Sequence, residues 1–258
     1  MALSTGDVNE HCKRLFNLMN ANGLIRSYLY SPYSRHKHFA LTLVGEFNLI
    51  RFTSKLKRLM NSKNDSLASE ALYAYIKLNP ETDLSFLIKR NKPLSKLDFN
   101  RIIKIVANYK NVDYESLMAT KNPMIATIGI YFAAKNKDQS MKANILKYVD
   151  HGDYNVRNEA QKSLLLLTNE NDAPILIDKF NIFTTKNKYQ ILTFLGRFSA
   201  NVHVIRFLHS IIESSNFEIK VVAMNALISI DTLEVVRYRN HPDLEVSKAF
   251  KQLTDFNM

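Results

Sequence analysis

Apolar residues recur at positions i, i+4 and i+8 in short stretches along the whole chain. The middle position is usually small, and each stretch is followed by polar residues and a second apolar run. The clearest copies are Leu67-Ala71-Tyr75, Ile125-Gly129-Ala133, Val156-Ala160-Leu164 and Ile219-Ala223-Leu227. Looser copies at Leu97-Arg101-Ile105 and Lys188-Leu192-Gly196 fall in the gaps, and His36-Ala40-Val44 and Glu245-Ala249-Leu253 extend the series to both ends. The eight starts are separated by 31, 30, 28, 31, 32, 31 and 26 residues. Steps of four put side chains on one helical face, whereas a strand alternates every second residue. A period near 30 is the signature of supersecondary units that bury their apolar faces only by stacking on their neighbours.

Val156, Ala160, Leu164 and Leu167 share one face, and Asp153 and Asn155 precede them with oxygens able to accept the free N–H groups of a first helical turn. The second apolar runs are Leu84–Ile88 after Pro80, Met141–Val149, Ile175–Phe180 after Pro174 and Val204–Ile212, so the unit predicted is helix, turn, helix. A small residue occupies the middle position in six of eight copies, which lets neighbouring first helices approach to the short end of the roughly 8–10 Å interaxial range. Arg101 and Leu192 depart from this, which predicts wider spacing or a changed tilt at those two units, with a bend of the superhelix near residues 97–105 and 188–196. Residues 7–31 lack the motif. Val8–Met19 reads as a capping helix and Leu24–Tyr33 as an apolar-aromatic connector, giving a cap and connector over 1–35 and a repeat array over 36–258, continuous as one domain.

Composition narrows the class. Hydrophobic residues make up 46% and charged residues 23%, which suits a folded chain, while six Gly and six Pro are too few for a hairpin-rich all-β fold. The single cysteine, Cys12, excludes an internal disulfide and suggests a reducing, cytoplasmic setting. No apolar run approaches the ~20 residues that span a bilayer, the best being Phe39–Ile50, which contains Glu46. No signal peptide is evident at the start.

The net charge of +11 is unevenly placed. Residues 1–63 hold ten Lys/Arg against three Asp/Glu, residues 64–150 thirteen against nine, and residues 151–258 twelve against twelve. The basic end suits nucleic acid, anionic lipid headgroups or an acidic protein, and an AT-rich coding sequence is the plain alternative. In the stretch from Arg51 to Met60, the apolar Phe52, Leu56, Leu59 and Met60 share a face and leave Arg51, Lys55 and Arg58 on another. With Arg35, Lys37 and Lys57, and a second strip at Lys89, Arg90 and Lys92, these are the candidate contacts to an anionic partner. In that second strip, cations at a helix end also simply complement the dipole.

The stretches Asp153-x-x-Val156-Arg157-x-x-Ala160-x-x-x-Leu164, Glu218-Ile219-Lys220-x-x-Ala223-x-x-x-Leu227 and Asp243-x-Glu245-Val246-x-x-x-Ala249 resemble the first helix of a HEAT-type repeat of the short, roughly 30-residue kind. The resemblance implies an all-α fold, an α-solenoid of HEAT-like hairpins wound as a right-handed superhelix of about seven to eight repeats. It also implies that Asp153 and Arg157 are structural, bracing loops between units.

Catalytic signatures are missing. The seven histidines form neither His-x-x-x-His nor His-Glu-x-x-His, so no metal site is expected, and no glycine-rich loop cradles a phosphate. His11-Cys12 point about 100° apart on a helix and have no orienting third group. Glu46 suits either a solvent position or a lysine partner from the next unit. DNA glycosylases built from similar repeats use indole side chains, and this chain has no tryptophan; bilin lyases of similar architecture contribute no residue through the motif. The expected function is therefore a non-enzymatic protein-binding scaffold or adaptor with no cofactor and no small-molecule substrate. One form of it is the cytoplasmic part of a protein tethered to a membrane by a segment absent from this sequence. A nucleic-acid-binding protein using the basic end is the alternative, and a glycosylase or lyase the third.

Overall fold

The protein is all-helical. The computed structural model describes residues 21–80, 82–90, 92–107, 109, 112–197 and 201–255, which hold 15 α-helices and no strand. The expected cap helix Val8–Met19 and the pair His11-Cys12 lie outside the described residues. The chain divides into two compact units, one ending at Gly129 and the other beginning at Ile130.

The first unit contains α1 (Ala21–Tyr30), α2 (Ser34–Glu46), α3 (Thr53–Leu59), α4 (Asp65–Leu78), α5 (Lys96–Val106), α6 (Tyr114–Met118) and the start of α7 (Pro123–Lys135). Helix α1 packs on α2, α2 on α4, α3 on α4 and α4 on α5. Ile25, Leu29, Ala40, Leu41, Val44, Leu56, Ala71, Leu72, Ile76 and Ile102 are fully excluded from solvent.

The second unit holds α8 (Lys142–Leu146), α9 (Tyr154–Leu167), α10 (Ala173–Lys179), α11 (Thr185–Leu195), α12 (Val202–Ser214), α13 (Phe217–Ile230), α14 (Thr232–Val236) and α15 (Leu244–Asp255). Here the motif helices contact one another in sequence, α9 with α11, α11 with α13 and α13 with α15, while α10 meets α12 and α12 lies on α13.

Short polar side chains start many of these helices. Asn64, Asp113, Thr184, Asn201, Asn216 and Asp231 each accept a first-turn N–H, and Ser95 forms a reciprocal capping box with Asp98. Asp153 accepts from Asn155 and Val156, and Arg157 donates to the carbonyls of His151 and Gly152, so both brace the loop before α9. That loop has a counterpart 90 residues on. Tyr148-x-x-His151-x-Asp153 and Tyr238-x-x-His241-x-Asp243 fold alike, each histidine Nδ1 accepting the aspartate N–H at 3.0 and 3.2 Å.

Several local expectations change. In the first loose copy the buried register is one residue later than read from apolar spacing, Asp98-Ile102-Val106, with Leu97 69% exposed; in the second, Asn187-Ile191-Leu195, one residue earlier, faces inward beside the buried Leu192. A polar residue fills the first buried position in each case because the preceding motif helix supplies a partner. Tyr73 donates to Asp98, and Asn187 donates to Gln161 at 2.9 Å.

The wider spacing expected at 188–196 is replaced by close approach. A Cβ at Gly196 would lie 2.8 Å from Ala226 Cα. Arg101 sits outside the helix crossing altogether and forks onto Glu70 at 3.0 and 3.2 Å.

The connector expected over Leu24–Tyr33 is helical through Tyr30, because Ile25 and Leu29 bury one turn apart beneath it. The second helices are uneven. α12 has 13 residues and α8 five, while Leu84–Ile88 forms only a 3-10 turn, entered by Leu84 at φ 64°.

Candidate anion-binding site

The basic end acquires a definite shape in the first unit. One wall of a cleft of about 400 Å3 is α1, presenting Asn22, Arg26 and Tyr30 at successive helical turns. The facing wall is the 3-10 turn Ile50–Phe52 and the start of α3, presenting Arg51, Phe52 and Lys55. The turn follows Asn48, whose left-handed φ of 54° redirects the chain between α2 and α3. Leu56, Leu59 and Met60 then anchor α3 by their burial.

Among the described residues, no carboxylate lines this cleft. Across residues 21–64 the only acid is Glu46, and it is occupied by Lys77 of α4. The Lys55 ammonium stands 3.8 Å over the Tyr30 ring. Its pKa is held below the usual lysine value by partial burial first, and then by the like charges of Arg58 and Lys37. Three cations from α2 and α3 therefore share one field. Lys57 stands 5.7 Å over Tyr75, while Arg35, Arg51, Lys57 and Arg58 are exposed.

Of the candidate residues, Arg51 and Lys55 meet in the cleft, with Lys37 and Arg58 close enough to act on Lys55 electrostatically. Arg26, which faces them, was not legible while Leu24–Tyr33 read as connector. The signal was its i, i+4 pairing with Tyr30.

The second strip separates. Lys89 is exposed, Lys92 is bound to Asp65, and Arg90 turns inward, its Nε and Nη1 buried without a hydrogen-bond partner. Burial pulls the Arg90 pKa down against the opposing charges of Asp98, Tyr73 and Asp65. Arg90, Lys92 and Arg101 share a cleft of about 440 Å3 with Asp65, Glu70 and Asp98. Arg90 and Lys92 thus stand among carboxylates in a structural network, while Lys89 stays outside that cleft.

Other buried polar groups bind elements together. Burial opposes ionisation of Asp98, but hydrogen bonds from Tyr73, from the Ser95 N–H and hydroxyl, and from Ser69 outweigh it and hold the carboxyl below the usual range. Tyr238, fully buried, is pushed up to about 12 by desolvation, with Arg237 opposing and Glu213 and Glu234 adding. His209 completes that cluster, its Nδ1 2.6 Å from the Tyr238 hydroxyl and its Nε2 2.9 Å from a Glu234 carboxylate oxygen. A shielded phenol held neutral offers no nucleophile.

Among the described residues, no group of three or more His, Cys, Asp and Glu is placed to hold a metal ion. Among them too, no helix is long and apolar enough to cross a membrane. No family model matches the chain, and no curated protein sequence does.

Proposed function

We propose that the chain is a non-enzymatic, HEAT-like α-solenoid scaffold that binds partner proteins and rests its N-terminal unit on an anionic membrane surface. The observation that carries this reading is the distribution of cations over α1, α2 and α3. Arg26, Arg35, Lys37, Arg51, Lys55, Lys57, Arg58 and Lys63 face a single acid, Glu46, which is already paired. Exposed apolar side chains are interspersed among them: Leu24, Tyr30, Tyr33, Phe39 and Ile50. Cations set among exposed aromatic and aliphatic groups suit the headgroup layer of a bilayer, where each basic residue contributes about 1 kcal/mol. Support for the repeat comes from the second unit, where α9, α11, α13 and α15 contact in order, and from the recurring Tyr-x-x-His-x-Asp turn.

A second reading, single-stranded nucleic acid, is favoured by one feature. The Tyr30 and Phe52 rings line the same cleft as Arg26, Arg51 and Lys55, and bases stack on such rings while phosphates meet the cations. Flotation on vesicles containing phosphatidylserine, set against a gel shift with oligonucleotides, separates the two. The triple reversal Lys55→Glu, Lys57→Glu, Arg58→Glu should reduce vesicle binding by about 100-fold or more with unchanged helicity, and wild-type binding should fall steeply with salt. Oligonucleotide binding without flotation replaces the membrane reading with the second. Binding to neither at low salt leaves only the protein scaffold.

A further inference from the structure

We infer that the cleft between α1 and α3 is a phosphoryl pocket that takes a phosphomonoester dianion carried on a lipid headgroup. The inference rests on the membrane-surface reading and names the ligand of that site. Each wall contributes an i, i+4 pair, Arg26 with Tyr30 and Arg51 with Lys55, and the four side chains open onto one space of about 400 Å3. Among the described residues, none of the three cations has an ion-pair partner and no carboxylate lines the space. Positive charge facing positive charge across a cleft is unfavourable until an anion enters.

The pocket's charge favours a dianion over a monoanion. A phosphomonoester brings close to two negative charges and three strong acceptor oxygens, matching two guanidinium forks and one ammonium. A phosphodiester or a serine carboxylate brings only one charge. The Tyr30 ring fixes the Lys55 ammonium at the edge of the space, so little side-chain freedom is lost on binding. A lipid source is indicated by exposed apolar side chains on both walls, Tyr30 in the cleft and Ile50 at the start of the turn that carries Arg51, 61% and 63% exposed.

The test uses the full chain with two vesicles of matched surface charge, phosphatidylcholine carrying phosphatidylinositol 4-phosphate or carrying phosphatidylserine, and with a soluble inositol phosphate followed through the Tyr30 ring resonances. Wild type should prefer the phosphoinositide vesicle by about tenfold, and Arg26→Gln and Arg51→Gln should each abolish the preference while leaving residual binding to both. Lys186→Gln, an exposed cation of the second unit, controls for net charge. Equal binding of wild type to both vesicles overturns the pocket and leaves the membrane reading standing. Saturable binding of the inositol phosphate that needs Arg26 and Arg51, with no binding to either vesicle, overturns the lipid source and the membrane reading together. No response to any of the three probes overturns both pocket and membrane reading.

Discussion

Replacing Gly129 or Gly196 by alanine should destabilise the protein, although alanine is the better helix former. Neither glycine adopts a positive φ, so an L side chain meets no backbone strain at either position and only space decides the outcome. A Cβ at Gly129 would stand 2.6 Å from the Tyr114 carbonyl oxygen and 2.8 Å from the Met118 N, where α7 crosses α6. At Gly196 it would stand 2.8 Å from Ala226 Cα and 3.0 Å from Ala226 Cβ, where the end of α11 crosses α13. Carbon atoms pack comfortably at about 3.5–4.0 Å, so each crossing must open by several tenths of an ångström against backbone atoms.

Overpacking of this kind costs about 1–3 kcal/mol. The helix-propensity gain of glycine to alanine offsets at most about 1 kcal/mol, and less at Gly196, which caps its helix. The expected net loss is about 1–2 kcal/mol at each site. Gly45 supplies the graded control, since its Cβ would meet Ala74 Cα at 3.3 Å and a flexible Lys77 carbon at 3.4 Å, so Gly45→Ala should change stability by about 0.5 kcal/mol or less. Urea unfolding followed by helical circular dichroism gives the three differences directly. If Gly129→Ala and Gly196→Ala equal or exceed wild type in midpoint, the close crossings are not where the structure puts them.

Asp98→Ala should cost about 2–4 kcal/mol, because it removes the carboxylate half of the capping box, which accepts from the Ser95 N–H and hydroxyl, and leaves the Tyr73 hydroxyl without its acceptor. Since the folded-state pKa of Asp98 is depressed, its contribution is fully present above the unfolded carboxylate value of about 4 and fades as pH falls through the lower folded value. Asp98→Asn should therefore flatten the acid limb of a stability–pH curve, and an unchanged limb would reject that account. Ala160→Leu and Ala223→Leu, both at fully buried positions, should each destabilise by about 1–3 kcal/mol, read as a drop in urea midpoint. Removing residues 232–258 should cost helicity in proportion while residues 130–230 still unfold cooperatively, as a stack coupled only between neighbours requires. Complete loss of structure on that truncation would count against the solenoid.

Much of the helical plan was legible because it depends on local periodicity. Ala40, Ala71, Ala160, Ala223 and Ala249 all lie fully buried as spacing alone predicts. The errors come where burial is polar. Asp98 and Asn187 lead the inward faces of α5 and α11, and only knowledge of Tyr73 and Gln161, supplied by the preceding motif helix, makes them acceptable there. The second apolar run was overread at Leu84–Ile88, because so short a run satisfies a buried turn as well as a helix. At the candidate site, the concentration of charge was visible in composition, but the facing of Arg26 to Arg51 and Lys55 depends on how α1 packs, which no count of residues contains.

The partners of the described side-chain bonds that join separate helices have a kinetic consequence. Glu46 reaches Lys77, Glu70 reaches Arg101, Lys142 reaches Asp172 and Tyr189 reaches Glu218, at separations of 31, 31, 30 and 29 residues. The widest of them, from the Tyr109 hydroxyl to the Ile76 carbonyl, spans 33 of the 258 residues. A growing chain can thus close each of these contacts as soon as one more helical pair has emerged, without waiting for its far end. Loop-closure entropy is met in small equal steps, and lengthening such a chain by another pair adds a step without making any earlier one slower.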